Sequence, residues 1–326
     1  MSGLIRTLTP ESTGWEGMLW WALRGAGGNN FGVVTQLTFA MEDAPPTTTV
    51  FQLHYTTADE CAQALFTWAQ LGSLPSDDPN ALPNELGGQI QGTGLPPDAC
   101  TLSGLFLGSA SDLNKTLSIY TSTLAQNGVY HNISTSIVLE QDYLGGLNAV
   151  MLPYGGIDAS ERELPSTGSY GKSLMDNGVY NMTLHSARAV IHNLAAAQPP
   201  DGSYMLLPQF FLSGPGSATS RPPTYGSMSF SHTNNTFIMY ILAISFPASR
   251  TAAYWDGVSR VTSVADAMKS VQPDVQQWQA YQNYMDPYLK DFGRAYYGSN
   301  LELLKGVKKQ ADPYNVLDFP FGLAHA

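Results

Sequence analysis

Residues Phe237 to Ile244 read Phe-Ile-Met-Tyr-Ile-Leu-Ala-Ile, apolar on both faces of an extended chain. A half-exposed strand or a surface helix would leave part of that run in water. The run is therefore expected to be a central strand, covered on both sides. A central strand needs neighbours, and the flanking sequence offers them: Ser203 to Leu212 and Ser227 to Phe246 read as antiparallel strands turning at Thr233-Asn-Asn235.

Upstream, Phe51, Leu53 and Tyr55 alternate with Gln52, His54 and Thr56, the pattern of a half-buried strand. Cys61, Leu65, Trp68 and Ala69 then recur at helical spacing. A Pro/Gly/Asn-rich loop is expected over about 72–97, a strand over Thr101 to Gly108, and a helix through Leu113, Leu117, Tyr120 and Leu124 capped by Ser111 or Asp112. Residues 145–180 show no clear period and are read as loop and short elements. Leu184 to Leu194 and Tyr254 to Met268 give two further helices, the first ended by Pro199-Pro200. Near the N-terminus, residues 16–24 look helical and Val33 to Phe39 looks like a strand. Near the C-terminus a helix spans Asn300 to Gln310, with Asn300 as its cap, and Asp312 to Pro320 is an aromatic tail with a turn, expected to be docked. The fold class expected is α+β, an antiparallel sheet with helices on one face.

Charge excludes some functions. The 326-residue chain has 15 Lys plus Arg against 26 Asp plus Glu, a net charge of -11, so a nucleic-acid or anionic-membrane surface is not expected. No apolar run is long enough to span a bilayer, and Ser2 to Thr9 lacks the apolar core of a secretory signal. Cys61 and Cys100 are too far apart for a Cys-x-x-Cys motif. Two buried free thiols are the expected state, because Cys61 falls on the apolar face of a helix; a single disulfide is the alternative. Sequons at Asn114, Asn132, Asn181 and Asn234 point toward a secretory history.

Two stretches carry the candidate chemistry. Glycines at 25, 27, 28 and 32 would let the backbone approach a phosphate or a flat ring closely. They miss the Gly-x-Gly-x-x-Gly spacing and follow a helix where a dinucleotide fingerprint follows a strand, so a helix end and tight turn is the plainer reading. In Tyr281-Gln-Asn-Tyr-Met-Asp-Pro287, an extended backbone would place Tyr281 and Asn283 on one face and Tyr284 on the other. Tyr284 could serve as an acid or base only if its surroundings favoured the phenolate; two packed tyrosines before a proline is the plainer reading. The histidines at 54, 131, 185, 192, 232 and 325 include no close metal-binding pair, and no metal site is expected.

Read together and in order, these stretches resemble a family. Leu19-Trp-Trp-Ala-Leu-Arg-Gly-Ala-Gly-Gly-Asn-Asn-Phe-Gly-Val-Val-Thr35 is similar to the end of the flavin domain in berberine bridge enzyme-like oxidoreductases of the vanillyl-alcohol-oxidase type. Tyr281 to Pro287, Tyr296-Tyr-Gly-Ser-Asn-Leu301, Leu304-Lys-x-x-Lys308 and Asp312 to Pro320 resemble that family's C-terminal segment. The resemblance implies that residues 1–44 finish a PCMH-type FAD-binding domain. It implies a substrate domain over 45–272 and a segment, 273–326, that returns to the flavin domain. It implies FAD contacts at Gly28, Asn30, Phe31, Gly32, Val33, Val34, Tyr281 and Asn283. Tyr284 would assist proton removal as hydride leaves a small-molecule substrate, and Gln209 would project over the flavin ring. Dioxygen is the implied oxidant and secondary metabolism the implied setting. Nothing here matches the family's Arg-Ser-Gly-Gly-His-like segment that bonds FAD covalently, and neither cysteine has that context. The flavin site is thus expected to be present as a floor without most of its walls. The alternative keeps the substrate domain alone, as a flavin-independent cyclase or isomerase or as a non-catalytic binding remnant.

Overall fold

The computed structural model describes residues 5–75, 77–130, 137–151, 167–175, 182–212, 228–232, 237–247, 251–271 and 278–326. In chain order the elements are α1 (Gly14–Leu23), β1 (Thr48–Tyr55), α2 (Ala58–Gly72), β2 (Leu86–Gln91), β3 (Cys100–Phe106), α3 (Ala110–Gln126), β4 (Ile137–Gln141), α4 (Tyr143–Met151), β5 (Thr167–Met175), α5 (Leu184–Ala197), β6 (Met205–Leu212), β7 (Phe237–Pro247), α6 (Ala252–Ser270), α7 (Phe292–Tyr297) and α8 (Leu301–Ala311). The strands form one antiparallel sheet in the order β4-β1-β3-β2-β6-β7-β5. The doubly apolar run is β7, an interior strand between β6 and β5, as its pattern requires.

Helices α2, α3, α5 and α6 cover one face. Each starts at a Ser or Thr whose side chain accepts an amide hydrogen of the first turn, at Thr57, Ser109, Thr183 and Thr251. Thr57 and Glu60 complete a reciprocal capping box. Beneath these helices Phe51, Leu53, Ile90, Leu102, Leu206, Phe210, Met239 and Ile241 are buried. Trp68 packs edge-on against Tyr120, whose hydroxyl shares a 3.0 Å hydrogen bond with that of Tyr55. The opposite face is covered at one end by α4, where Gly146 lies close to Thr48 and Leu105.

Several expectations are corrected. Cys61 and Cys100 form a disulfide, Cα to Cα 5.7 Å, tying the first turn of α2 to the start of β3. The apolar helix position was read correctly, but the sheet brings its partner within bonding distance. The cap of α3 is Ser109, not Ser111 or Asp112, two and three residues further on. Strand β2 lies inside the stretch read as a Pro/Gly/Asn loop; pairing on both edges, with β3 and β6, overrides the weak propensity of Leu-Gly-Gly-Gln. Strands β4 and β5 and helix α4 were not anticipated, and residues 228–232 form no strand. The turn expected at Thr233-Asn-Asn235 lies outside the described residues. Val33 to Phe39 belongs to no strand, with Val33, Leu37 and Phe39 80%, 69% and 75% exposed. A strand exists only where another backbone pairs with it, and among the described residues none does.

A second, smaller core is built from the two ends of the chain. Ala22, Ala26 and Phe31 pack with Ala280, Tyr296, Tyr297, Leu304, Val307 and Leu323. Asn300 stands at the start of α8 but does not cap it with its side chain; its Nδ2 donates to Ser229 O at 3.0 Å. The tail after α8 is anchored by Asp312, which accepts from Lys308 Nζ and from the amides of Val316 and Leu317, while Tyr314 is exposed.

Candidate functional site

The end of α1 supplies the first wall. Gly25 has φ 127°, and a Cβ there would lie 2.4 Å from Phe230 N, so only glycine lets the turn approach the 228–232 segment. Ser229 N donates to Arg24 O and closes this contact. Asn30 is 1% exposed: its Nδ2 donates to Ala26 O and Gly28 O, and its Oδ1 accepts from Leu323 N. Its side chain therefore holds the turn and the C-terminal tail together.

The second wall is Tyr281 to Tyr284. The amide of Tyr284 donates to Tyr281 O at 2.9 Å, so this stretch is a turn and not the extended segment considered from sequence. The turn is fastened to its surroundings at two points and braced internally at a third. Tyr281 N donates to Ser173 Oγ on β5, Gln282 Nε2 donates to Gly25 O, and Asn283 Nδ2 donates to the Tyr281 hydroxyl. Asp286 is buried beneath it. It pairs with Lys172 of β5, accepts from the Tyr170 hydroxyl at 3.0 Å and from Tyr288 N at 2.9 Å, and its own amide donates to the Tyr296 hydroxyl. Burial, then the nearby Asp286 charge, pushes the Tyr170 phenol up, so it remains a donor.

Between the two walls lies a cavity of about 520 Å³. Gly28, Asn30, Phe31, Gly32, Val34, Tyr281 and Asn283 all line it, as do Met228, Phe230 and Gln282, which sequence reasoning did not single out. Val33 stands outside that lining and is turned to solvent. A Cβ added at Gly28 or Gly32 would meet nothing, so the backbone is bare toward open space. Gln282 Oε1 is buried without a partner among the described residues. Amides and apolar groups with no cation in the lining suit the edge and face of a flat, neutral heteroaromatic ring. They do not suit a diphosphate, which would call for cations or a nest of amides.

Tyr284, next in sequence to the cavity-lining Asn283, lies over the sheet, and Gln209 belongs to strand β6, outside the lining. The Tyr284 ring stacks on Tyr240 of β7, centroids 4.0 Å apart and planes within 12°, and meets Tyr281 edge-on at 5.2 Å. Gln209 is the direct cross-strand partner of Tyr240. The turn thus has one side toward the cavity and the other toward the sheet. Burial, then the adjacent Tyr284, pushes Tyr240 up to about 12. Tyr240 was missed because it lies in the apolar run and reads there as core.

A family profile described as Berberine and berberine like matches residues 280–323, the segment that contains this turn, α7 and α8. A xylooligosaccharide oxidase of Thermothelomyces thermophilus is 27% identical over 311 residues, covering 93% of this chain and 57% of that protein. An uncharacterized FAD-linked oxidoreductase of Bacillus subtilis is 26% identical, covering 93% of this chain and 59% of that protein. A solved structure of a xylooligosaccharide oxidase from Myceliophthora thermophila, in complex with xylobiose, superposes with a TM-score of 0.73 at 24% identity, covering 94% of this chain and 61% of that one. The chain therefore spans about three-fifths of the relatives it matches.

Proposed function

We propose that this chain, a berberine bridge enzyme-like protein by its C-terminal segment and its fold, forms the substrate-facing part of an FAD-linked oxidase acting on a small molecule. The observation that carries the reading is the Tyr281–Tyr284 turn, which borders the cavity at Asn283 and the sheet face at Tyr284. The units we adopt are 1–44 with 273–326 as the flavin side and 45–272 as the substrate side.

The ring of the flavin would be held by the bare backbone at Gly28 and Gly32 and by the amides of Asn283 and Gln282; when bound it supplies a two-electron acceptor for hydride. The remaining chemistry belongs to this chain. Tyr240, pushed up to about 12, stays protonated and serves as a stacking platform. Tyr284 is then the residue left to act as base: in its phenolate form its Oη would take the proton of a substrate hydroxyl and become the neutral phenol, with Gln209 as a hydrogen-bonding group for the same substrate. Asp286, paired with Lys172, fixes the height of the turn over the sheet. The substrate is read as a neutral hydroxyl-bearing compound, in keeping with the relatives named as oligosaccharide oxidases, and dioxygen as the final electron acceptor. The disulfide and the exposed sequon at Asn114 support a secretory route.

The test is titration of the purified chain with FAD, followed by flavin fluorescence and visible absorbance. Saturable quenching is expected, and Tyr284→Phe is expected to leave it unchanged while lowering turnover by roughly two to four orders of magnitude. No flavin binding would overturn the reading, and turnover without oxygen consumption would support the flavin-independent alternative.

A further inference from the structure

One side chain in the lining of the cavity has only half of its hydrogen bonding completed. Gln282 is 8% exposed and stands in the wall formed by the Tyr281–Tyr284 turn. Its Nε2 donates to Gly25 O. A carbonyl oxygen can only accept, so the amide nitrogen must face Gly25 and Oε1 is turned away from it. The side chain runs along the turn after α1, its Cγ 3.5 Å from where a Cβ on Gly27 would stand. Oε1 is buried and has no partner among the described residues. A buried acceptor without a donor is costly, and folded proteins keep few of them.

The rest of the lining offers the opposite function. The backbone amides of Gly27, Gly28 and Asn283 donate in no hydrogen bond among the described residues. Asn30, the other buried side-chain amide of the lining, is already occupied within the chain at both its nitrogen and its oxygen. The cavity thus presents a buried acceptor at Gln282, unused backbone donors on both walls, and no Asp, Glu, Lys, Arg or His. Its chemical complement is an acceptor–donor–acceptor edge on a neutral ring, which is what a cyclic imide carries. In the oxidised isoalloxazine ring the imide holds the single ring N–H. Only that atom of the ring can give Gln282 Oε1 its donor.

We propose that Gln282 Oε1 accepts the imide N–H of the flavin ring and makes the cavity selective for a ring whose imide nitrogen is unsubstituted. The inference rests on the flavin reading above and gives one residue of that site a recognition role. The plainer role for Gln282 is structural, a tie between the Tyr281–Tyr284 turn and Gly25. Both roles predict that removing the side chain weakens flavin binding. Only the acceptor role predicts that the loss depends on what the ligand carries at its imide nitrogen, because a hydrogen there is a donor and a methyl group is not.

The experiment is fluorescence titration of the whole purified chain with riboflavin and with 3-methylriboflavin, in which a methyl group replaces that hydrogen. The parent is expected to bind riboflavin on the order of tenfold more tightly than the methylated ring. Gln282→Ala is expected to weaken riboflavin on the order of tenfold and to bring the ratio toward one. The acceptor is then gone and the space it leaves admits the methyl group. Gln282→Met, which keeps the length of the side chain, gives the same reading if the shorter variant does not fold. Ser173→Ala releases the Tyr281 amide without touching Gln282, so it should weaken both rings alike and keep the ratio. Equal affinity of the parent for the two rings, a ratio that persists without Gln282, or one that also collapses in Ser173→Ala would overturn the role of Gln282 and leave the flavin reading standing. Binding of neither ring by the parent would overturn both.

Discussion

The sheet core and the core made from the chain ends bury apolar surface in different ways. In the first, Phe51, Leu53, Ile90, Leu102 and Phe210 lie under four capped helices and are almost wholly buried. A disulfide adds a covalent tie between α2 and β3. In the second, α1, α7 and α8 bury fewer side chains, and the segment leaving them exposes Val33, Leu37, Phe39 and Met41. Its order comes from discrete polar fasteners: Asn30 to Leu323, Lys308 to Asp312, His232 to Tyr296 O, and the Asp286–Lys172 pair across the seam. The lesson is that a site floor can be positioned by a few buried polar contacts when area burial is small, and such contacts are sensitive to single changes.

The sharpest test of that contrast is the seam itself. Asp286→Ala leaves Lys172 in a largely buried position and removes the acceptor of the Tyr170 hydroxyl. The expected loss is about 3–5 kcal/mol in urea unfolding. Replacing both charges, as K172M/D286A, should recover part of it, because no buried charge is then left alone. A loss below about 1 kcal/mol would mean that apolar contacts, and not this pair, join the two regions. The sheet core provides the counterpart. C61A/C100A opens a loop of 39 residues and should cost about 3–4 kcal/mol by chain entropy, with the cavity beside Gly28 and flavin titration unaffected.

Sequence legibility follows the same division. Helices α2, α5 and α6 and strand β7 were readable because their periods are local and their cores are large. The Tyr281–Asp286 stretch was recognisable as a motif, yet its shape was not: the turn is set by Ser173, 108 positions away, and the ion pair by Lys172, 114 positions away. The disulfide escaped for a similar reason, since helix amphipathicity explains why Cys61 is buried but not what it meets. Val33 to Phe39 failed in the other direction. Its residues have strand propensity, but propensity describes a fit to a sheet that the described residues do not supply around it. Tyr240 was hidden because alternation assigns faces only after the sheet order is known.

Acid should separate the regions next. Burial lowers His232 from the ordinary 6.5 to about 4, and its Nε2 lies 3.0 Å from Tyr296 O in the smaller core. A histidine with a depressed folded pKa favours the fold while neutral. Its contribution is complete above about pH 6.5 and is lost as pH falls toward 4, by up to about 3 kcal/mol. His232→Gln should remove the part of the pH dependence that lies between 6.5 and 5, as read by urea midpoints. Asp312 works at lower pH: although burial opposes it, the Lys308 hydrogen bond and the Leu317 and Val316 amides hold its carboxyl at about 2, so its contribution persists until the acid range.

The smallest effect on stability is expected where exposure is greatest. Leu37 and Phe39 are 69% and 75% exposed, so L37S and F39S remove little buried area and should each change the unfolding free energy by less than about 0.5 kcal/mol. The same exposure has a consequence for association. A stretch that belongs to no strand among the described residues and exposes β-prone apolar side chains is a candidate for pairing with another chain. The double variant should therefore elute later and more sharply than the parent in size-exclusion chromatography at high concentration, with an unchanged thermal midpoint. A drop of several degrees in that midpoint would mean that this stretch is packed within the chain in solution, and the contrast between a closed sheet core and an open terminal core would have to be given up.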